Sequence, residues 1–187
     1  MRFSSFVKTS TLEWEGMICS VVTVSDGGEI TEDEVLSYFE ERKGMIDALL
    51  IEGDESTKGM IPFIKAVRSA GLKTGIITDG KHPDSLEDLI GANYLEHVIM
   101  KIDSPAIDAD MRTSISIILE YGIGHEFRTV LDEKRITPEG VSSISRSIKG
   151  AKNYVLMMPK ENGFKKADAL RCVEDAKSCV KNVRIRQ

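Results

Sequence analysis

The side chains best suited to chemistry follow short apolar runs, at the points where predicted strands end. Most of them are carboxylates, joined by two cations. The set comprises Asp26, Glu52, Gly53, Asp54, Glu55, Thr78, Asp79, Lys101, Asp103 and Arg128. Carboxylates that share a cleft repel one another, and a cation, a Lys or Arg side chain, or a proton held at raised pKa must offset the repulsion. The set therefore predicts a ligand-binding site, and it allows acid-base chemistry on a divalent cation or an anionic substrate.

A structural role explains part of the same set equally well. A carboxylate after a strand can cap the following helix, which accounts for Asp26 or Asp54 without a ligand. No metal site is predicted, because His82, His97 and His125 fall on separate segments without the spacing of a metal motif. His97 and His125 stand at or just before strand starts, where ordinary, partly exposed histidines are expected.

Apolar β-branched runs alternate with amphipathic segments, which predicts about six strand-helix units around a mainly parallel sheet. Thr31 and Glu34 have the spacing of a capping box at the start of the first helix. The predicted strands are 17–24, 46–51, 73–78, 97–102, 126–131, 154–158 and 183–185, and the predicted helices include 32–42, 59–70, 109–121 and 165–180. Residues 1–16 are expected to form a small hairpin or cap, and residues 1–187 a single domain.

Six such units admit either an open doubly wound sheet or an incomplete barrel with strands inside and helices outside. Both architectures place function where strands end and loops to helices begin. Met157, Met158 and Lys160 stand at such a strand end as well. The two methionines are more often core-filling side chains than ligand contacts.

Composition narrows the class of protein. The chain has 187 residues, 25 basic and 30 acidic, for a net charge of -5. No basic patch is available for nucleic acid, and no apolar run approaches the roughly 20 residues that span a bilayer. The start of the chain lacks the apolar stretch of a signal peptide. We therefore expect a cytoplasmic protein with neither a nucleic-acid nor a membrane partner.

Cysteine usage is sparse. Cys19, Cys172 and Cys179 are too few for a disulfide framework and fit a reducing compartment. Cys172 and Cys179 are seven residues apart on one predicted helix, about 10.5 Å, which is too far for a disulfide or a shared metal. All three are expected to be packing residues.

Six segments carry a resemblance to a known family. Residues 6–16 read FVKTSTLEWEG, 52–56 read EGDES, 78–80 read TDG, 101–105 read KIDSP, 126–129 read EFRT and 154–158 read YVLMM. In order and spacing they resemble the segments KTSLIDYPG, SGGEP, TNG, DIKAP, EFRT and YVLQQ. These belong to the radical S-adenosylmethionine activating proteins of anaerobic ribonucleotide reductase, relatives of pyruvate formate-lyase activating enzyme. The resemblance implies an incomplete (βα)6 TIM-like barrel of the radical S-adenosylmethionine type.

The departures from that family fall on its chemistry. The family carries a CxxxCxxC motif after the first barrel strand, whose thiolates hold a [4Fe-4S] cluster. Here residues 24–31, VSDGGEIT, run straight into a helix, and no cysteine lies between Cys19 and Cys172. No cofactor is therefore expected: the iron-sulfur cluster is predicted absent. Asp54 and Ser56 alter the second motif, which makes S-adenosylmethionine binding doubtful.

The favoured hypothesis is a catalytically degenerate radical S-adenosylmethionine-like domain, not a working enzyme of that class, with a binding or regulatory role. Its expected partners are a ribonucleotide reductase-type or activase-type protein, or a small molecule at the barrel rim. One alternative is an enzyme of another kind that uses the carboxylate-rich rim with a divalent cation or an anionic substrate. Another is an activase that relies on a partner's cluster.

Overall fold

A computed structural model describes residues 1–159 and 163–187, and the predicted rim residue Lys160 lies outside them. The chain divides into two compact units. The first comprises Met1–Thr78 and Asp84–Val98, and the second comprises Asp79–Pro83 and Ile99–Gln187.

The first unit is a mixed sheet with helices. Its strands are β1 (Arg2–Ser10), β2 (Cys19–Val24), β3 (Ile30–Thr31), β4 (Ala48–Glu52) and β5 (Lys73–Thr78), and its helices are α1 (Glu32–Glu41), α2 (Met60–Ser69) and α3 (Pro83–Gly91). The strand order is β3-β1-β2-β4-β5. Strand β1 pairs antiparallel with β2 and β3, whereas β2, β4 and β5 are parallel. The parallel strands are the apolar runs that the sequence predicts.

Within residues 1–16, where a hairpin or cap is expected, Arg2–Ser10 form a full strand of the sheet. Its antiparallel partner is β2, the first strand of the parallel series. Phe3 is fully buried and packs against Phe63 of α2, with 5.1 Å between the ring centroids. Most other residues of β1 are exposed. Its sequence, RFSSFVKTS, is largely polar and lacks the apolar run that would mark a strand.

Local signals fix the helix starts. At Thr31 the hydroxyl accepts a hydrogen bond from the Glu34 amide, and the Glu34 carboxylate accepts one from the Thr31 amide, which confirms the predicted capping box. Glu32, Asp33 and Glu34 also place negative charge in the first turn of α1, where it stabilises the positive end of the helix dipole.

The second unit repeats the parallel pattern. Strand β6 (His97–Lys101) begins in the first unit and ends in the second, and β7 (Gly124–Val130), β8 (Asn153–Met157) and β9 (Asn182–Arg186) follow in chain order. The strands β7, β8 and β9 are parallel. The helices are α4 (Ala109–Tyr121), α5 (Pro138–Ser147) and α6 (Lys166–Ala176). The mixed α/β class with mainly parallel strands is confirmed, whereas the incomplete (βα)6 barrel stays a prediction.

The prediction that two histidines are partly exposed is wrong. The exposed fraction of His97 is 8%, and the His97 ring stacks on Trp14 with 4.7 Å between ring centroids. His125 is 3% exposed, and it bridges two backbone segments. Its Nε2 accepts a hydrogen bond from the Lys152 amide, and its Nδ1 lies 2.8 Å from the Ile123 carbonyl. Tertiary packing covers both rings, which strand position alone does not reveal.

Within the described residues, no helix combines the length and the apolar character that a membrane crossing requires.

Candidate functional site

The loop after β2 is short and tied to β1 by backbone hydrogen bonds. The Ser25 amide donates to the Arg2 carbonyl at 3.0 Å, and the Gly28 amide donates to the Ser25 carbonyl at 3.0 Å. A Cβ at Gly28 would collide with the backbone of Phe3, so glycine allows the two segments to approach each other. Asp26 lies exposed on this turn.

Two candidate residues end β4. Glu52 accepts a hydrogen bond from the Thr23 hydroxyl across the sheet, at 3.3 Å. Gly53 has φ +143°, and a Cβ there would stand 3.0 Å from the Cβ of Val24. The Gly53 amide donates to the Ile77 carbonyl at 3.2 Å. Gly53 therefore serves strand packing through both its conformation and its hydrogen bond.

The next two carboxylates differ in burial. Asp54 is exposed, and its Oδ1 accepts from the Ser56 amide at 2.7 Å and from the Ser56 hydroxyl at 2.5 Å. Glu55 is 4% exposed and accepts a hydrogen bond of 2.8 Å from the buried Thr78 hydroxyl. Asp54 organises its own loop, as a turn carboxylate does. The structure brings Glu55 and Thr78 together as a buried pair.

The second unit holds the remaining candidate residues, two of them in strands and two in loops. Asp79 is exposed, with its Oδ1 3.2 Å from the Lys81 amide and its Oδ2 3.4 Å from the Lys81 ammonium group. Lys101 is half-buried at the end of β6. Asp103 accepts a hydrogen bond from the Val130 amide at 3.0 Å. Asp103 therefore ties the loop after β6 to β7.

Arg128 belongs to a charged cluster that the sequence prediction found only in part. Its Nε donates to buried Glu126, and the other Glu126 oxygen lies 2.9 Å from Arg184 and 3.5 Å from Arg186. We call these four residues the Glu126 cluster. Arg128 pairs with Val155 and Val155 with Arg184, which places both arginines in one row across three strands.

The signal for the missed members is a period of two. Glu126 and Arg128 flank Phe127, and Arg184 and Arg186 flank Ile185. Alternation of this kind places like residues on one face of a strand. The cluster supplies charge-assisted hydrogen bonds around one carboxylate. These bonds connect β7 with β9 on this face of the second unit.

Neither Cys19 nor Cys172 is suited to ligate an iron-sulfur cluster. Cys19 lies inside β2 and is fully buried, with its Sγ 3.5 Å from the Ser10 carbonyl oxygen. Cys172 is buried on α6, and burial raises the pKa of its thiol to about 11. A cluster is ligated by thiolates, and burial disfavours the charged thiolate form. The loop after β2 supplies no thiol in their place.

No three His, Cys, Asp or Glu side chains among residues 1–159 and 163–187 are grouped so that they could hold a metal ion. Most of the carboxylates described above contact hydroxyl, amide or cationic groups of the protein: Glu52, Asp54, Glu55, Asp79, Asp103 and Glu126.

Comparison with known proteins yields structural neighbours only. No family model matches the chain, and no curated protein matches its sequence. Streptococcus suis SuiB bound to S-adenosylmethionine is 11% identical with a TM-score of 0.59, covering 83% of this chain and 42% of that one. SuiB bound to its precursor peptide SuiA is 11% identical with a TM-score of 0.66, covering 87% and 44%.

These likenesses show a radical S-adenosylmethionine-like fold. The chain spans less than half the length of the SuiB chains that it matches.

Proposed function

We propose that this chain is a degenerate relative of the activating proteins of anaerobic ribonucleotide reductase, built as an incomplete (βα)6 barrel. It binds a partner or ligand and does not cleave S-adenosylmethionine reductively. One observation carries the proposal. The loop after β2 is fastened to β1 and contains no thiol, while the Cys19 and Cys172 thiols are buried elsewhere.

The chemistry of the reaction supports this reading. Reductive cleavage needs an electron donor beside the sulfonium, which the iron-sulfur cofactor supplies in such enzymes. In the segment at the position of the family's second motif, the Asp54 carboxylate accepts hydrogen bonds from the amide and the hydroxyl of Ser56. This carboxylate is therefore engaged within its own loop. The fold is therefore kept while the groups that perform the reaction are replaced by structural contacts.

A protein of the ribonucleotide reductase or activase type is the partner that we propose, with a small molecule at the carboxyl ends of the strands as the other ligand. The neighbour SuiB has been solved with its precursor peptide, which supports a polypeptide partner for a domain of this fold. Glu55 and Thr78 form a buried pair at this end.

Anaerobic reconstitution with iron and sulfide tests the missing chemistry. We expect no stoichiometric iron and no cluster absorbance, whereas an intact activating protein treated in parallel gains both. The triple variant Cys19→Ser, Cys172→Ala, Cys179→Ser controls for adventitious iron. Stoichiometric iron that disappears in this variant would contradict the proposal.

Sedimentation of the chain with purified anaerobic ribonucleotide reductase, and separately with its activating protein, tests the partner. We expect a complex with one of the two. If every component sediments alone, the partner assignment is wrong. That result would leave the proposed lack of reductive cleavage unaffected. Calorimetry with Mg²⁺ and Mn²⁺ checks the cation-dependent alternative, for which no heat of binding is expected.

A further inference from the structure

The first unit contains an open groove at the ends of its strands opposite to the carboxylates. A cavity of about 640 Å³ lies beside the amino ends of β4 and β5, and a second of about 440 Å³ lies between α1 and α2. Phe39, Lys43 and Ala70 line both cavities, so the two adjoin each other. We call the combined feature the α1–α2 groove.

Apolar side chains form part of the lining of the groove. Its floor includes buried Phe39 and Leu72, and Met17 and Ile46 line the same cavity. Next to these two residues in sequence, Met45 is 63% exposed and Ile18 is 40% exposed. Exposed apolar surface that continues an apolar cavity is typical of a protein interaction site. Methionine side chains adapt readily to the shape of a partner.

Positive charge surrounds this apolar surface. Arg42, Lys43 and Lys73 line the larger cavity with one acidic residue, Asp47, and Glu40 lines the smaller cavity. The Arg42 guanidinium also lies 3.9 Å from the Glu41 carboxylate. The Asp47 carboxylate accepts a hydrogen bond of 2.8 Å from the Ile18 amide, so it has a structural role. The chain as a whole carries a charge of -5. The lining of the groove therefore holds three cations and two carboxylates, a local excess of positive charge in a chain of negative net charge.

The helix dipole explains only part of this charge. Arg42 is the C-cap of α1, where a cation stabilises the negative end of the helix. Lys73 instead begins a strand, and no dipole argument accounts for the exposed side chain of Met45. An occupant that is both apolar and acidic satisfies all three features at once.

We propose that the α1–α2 groove binds an acidic amphipathic helix of a partner protein. Helix α1 lines the groove from Leu36 onwards and helix α2 from Ala66 onwards, and two neighbouring helices of this kind can receive an amphipathic helix between them. Apolar side chains of the occupant enter the cavities, and its acidic residues face Arg42, Lys43 and Lys73. A long polyanion such as nucleic acid is disfavoured by the net negative charge of the chain.

The probe is a synthetic peptide of about twelve residues, with leucines at i, i+3, i+4 and i+7 spacing and glutamates elsewhere. Binding to the full chain is measured by fluorescence anisotropy and by amide chemical shifts. We expect shifts centred on Lys43, Gly44 and Gly71, and weaker binding as salt is raised. A peptide with lysines in place of the glutamates should bind much more weakly.

The variant Lys43→Glu/Lys73→Glu should weaken binding of the acidic peptide about tenfold or more. The matched control Lys58→Glu/Lys149→Glu changes the net charge equally at exposed sites outside the groove and should bind as the wild type does. Thermal unfolding of both variants establishes that each is folded.

Three results would overturn the proposal. One is equal weakening in both variants, which would assign the effect to net charge. Another is absence of binding, or shifts located away from the groove. The last is sedimentation of the free chain as a dimer that Met45→Asp dissociates, which would assign the groove to a second copy of this chain.

Discussion

The Glu126 cluster and the α1–α2 groove each contain three cationic side chains, yet the two regions use them differently. In the cluster, Arg128, Arg184 and Arg186 converge on one carboxylate that is 4% exposed. In the groove, Lys43 and Lys73 are exposed around an open cavity. The number of cations is equal, but the cations of the cluster surround a buried carboxylate and those of the groove surround an open cavity.

The difference shows that burial decides what a charge does. A buried charge is stable only when a partner of opposite sign compensates its desolvation, and the loss of that partner is therefore costly. An exposed charge remains solvated and contributes little to stability. Such a charge can nevertheless guide the approach of a partner and contribute to specificity. The following predictions test this contrast.

Replacement of Glu126 by alanine should have the largest effect. It removes the carboxylate from buried Arg128, and breaking a buried ion pair costs about 3–5 kcal/mol. The free energy of unfolding from urea titration measures the loss. Arg184→Ala should cost only about 1 kcal/mol, because the Arg184 side chain is 39% exposed. Equal losses in the two variants would contradict the role of burial.

His125 provides a second test inside the second unit. His125→Phe removes the acceptor of the Lys152 amide, and an unsatisfied buried donor costs about 1–3 kcal/mol. Thermal or urea unfolding at neutral pH measures the change. His125→Gln is the matched control, because an amide side chain can still accept a hydrogen bond.

The stability of the wild type should also depend on pH through His125. Burial lowers the pKa of this imidazole below its usual value of 6.5. Because the unfolded chain then binds a proton at higher pH than the folded chain, the stabilisation is complete above about pH 6.5. It is lost as the pH falls from there through the lower pKa of the folded state. Urea titrations at several pH values should show this slope, and the slope should shrink in His125→Phe.

Loss of the capping box should have an intermediate effect. Thr31→Ala removes the side-chain acceptor for the Glu34 amide, which costs about 1 kcal/mol in typical N-caps. Thermal unfolding measures it. Thr31→Ser keeps the hydroxyl and should restore most of the stability. An unchanged midpoint in Thr31→Ala would mean that packing of α1 alone holds the helix start.

Charge changes in the groove should have the smallest effect on stability. Lys73→Glu alters an exposed side chain, and exposed substitutions usually change the free energy of unfolding by about 0.5 kcal/mol or less. Peptide affinity should fall while the unfolding midpoint stays near that of the wild type. A large loss of stability would mean that Lys73, like the charges of the Glu126 cluster, has a structural role.

Regular elements were predictable where apolar periodicity is strong. The predicted strand 73–78 and the helix 109–121 coincide with β5 and α4. The exposed strand β1 lacks that periodicity, and strand β3 has only two residues. Neither could be found from pattern alone, because pairing with neighbouring strands defines them.

The candidate site was predictable as a set of residue types but not as contacts. The sequence identified Glu55, Thr78 and Arg128, and the structure shows Glu55 with Thr78 and Arg128 with Glu126. The arginines of β9 are distant in the chain from Glu126, and only parallel pairing through β8 brings them to it. The groove was not predicted, since its lining comes from separate segments.

The amino-acid order by itself determined the alternation of strands and helices, the helix caps and the lack of a thiol after β2, because these depend on neighbouring residues. Tertiary structure decided which charges are buried and which remain in water. Burial depends on residues far apart in the chain, and no local pattern records it. That distribution separates the charges that stabilise this protein from those that we propose bind its partner.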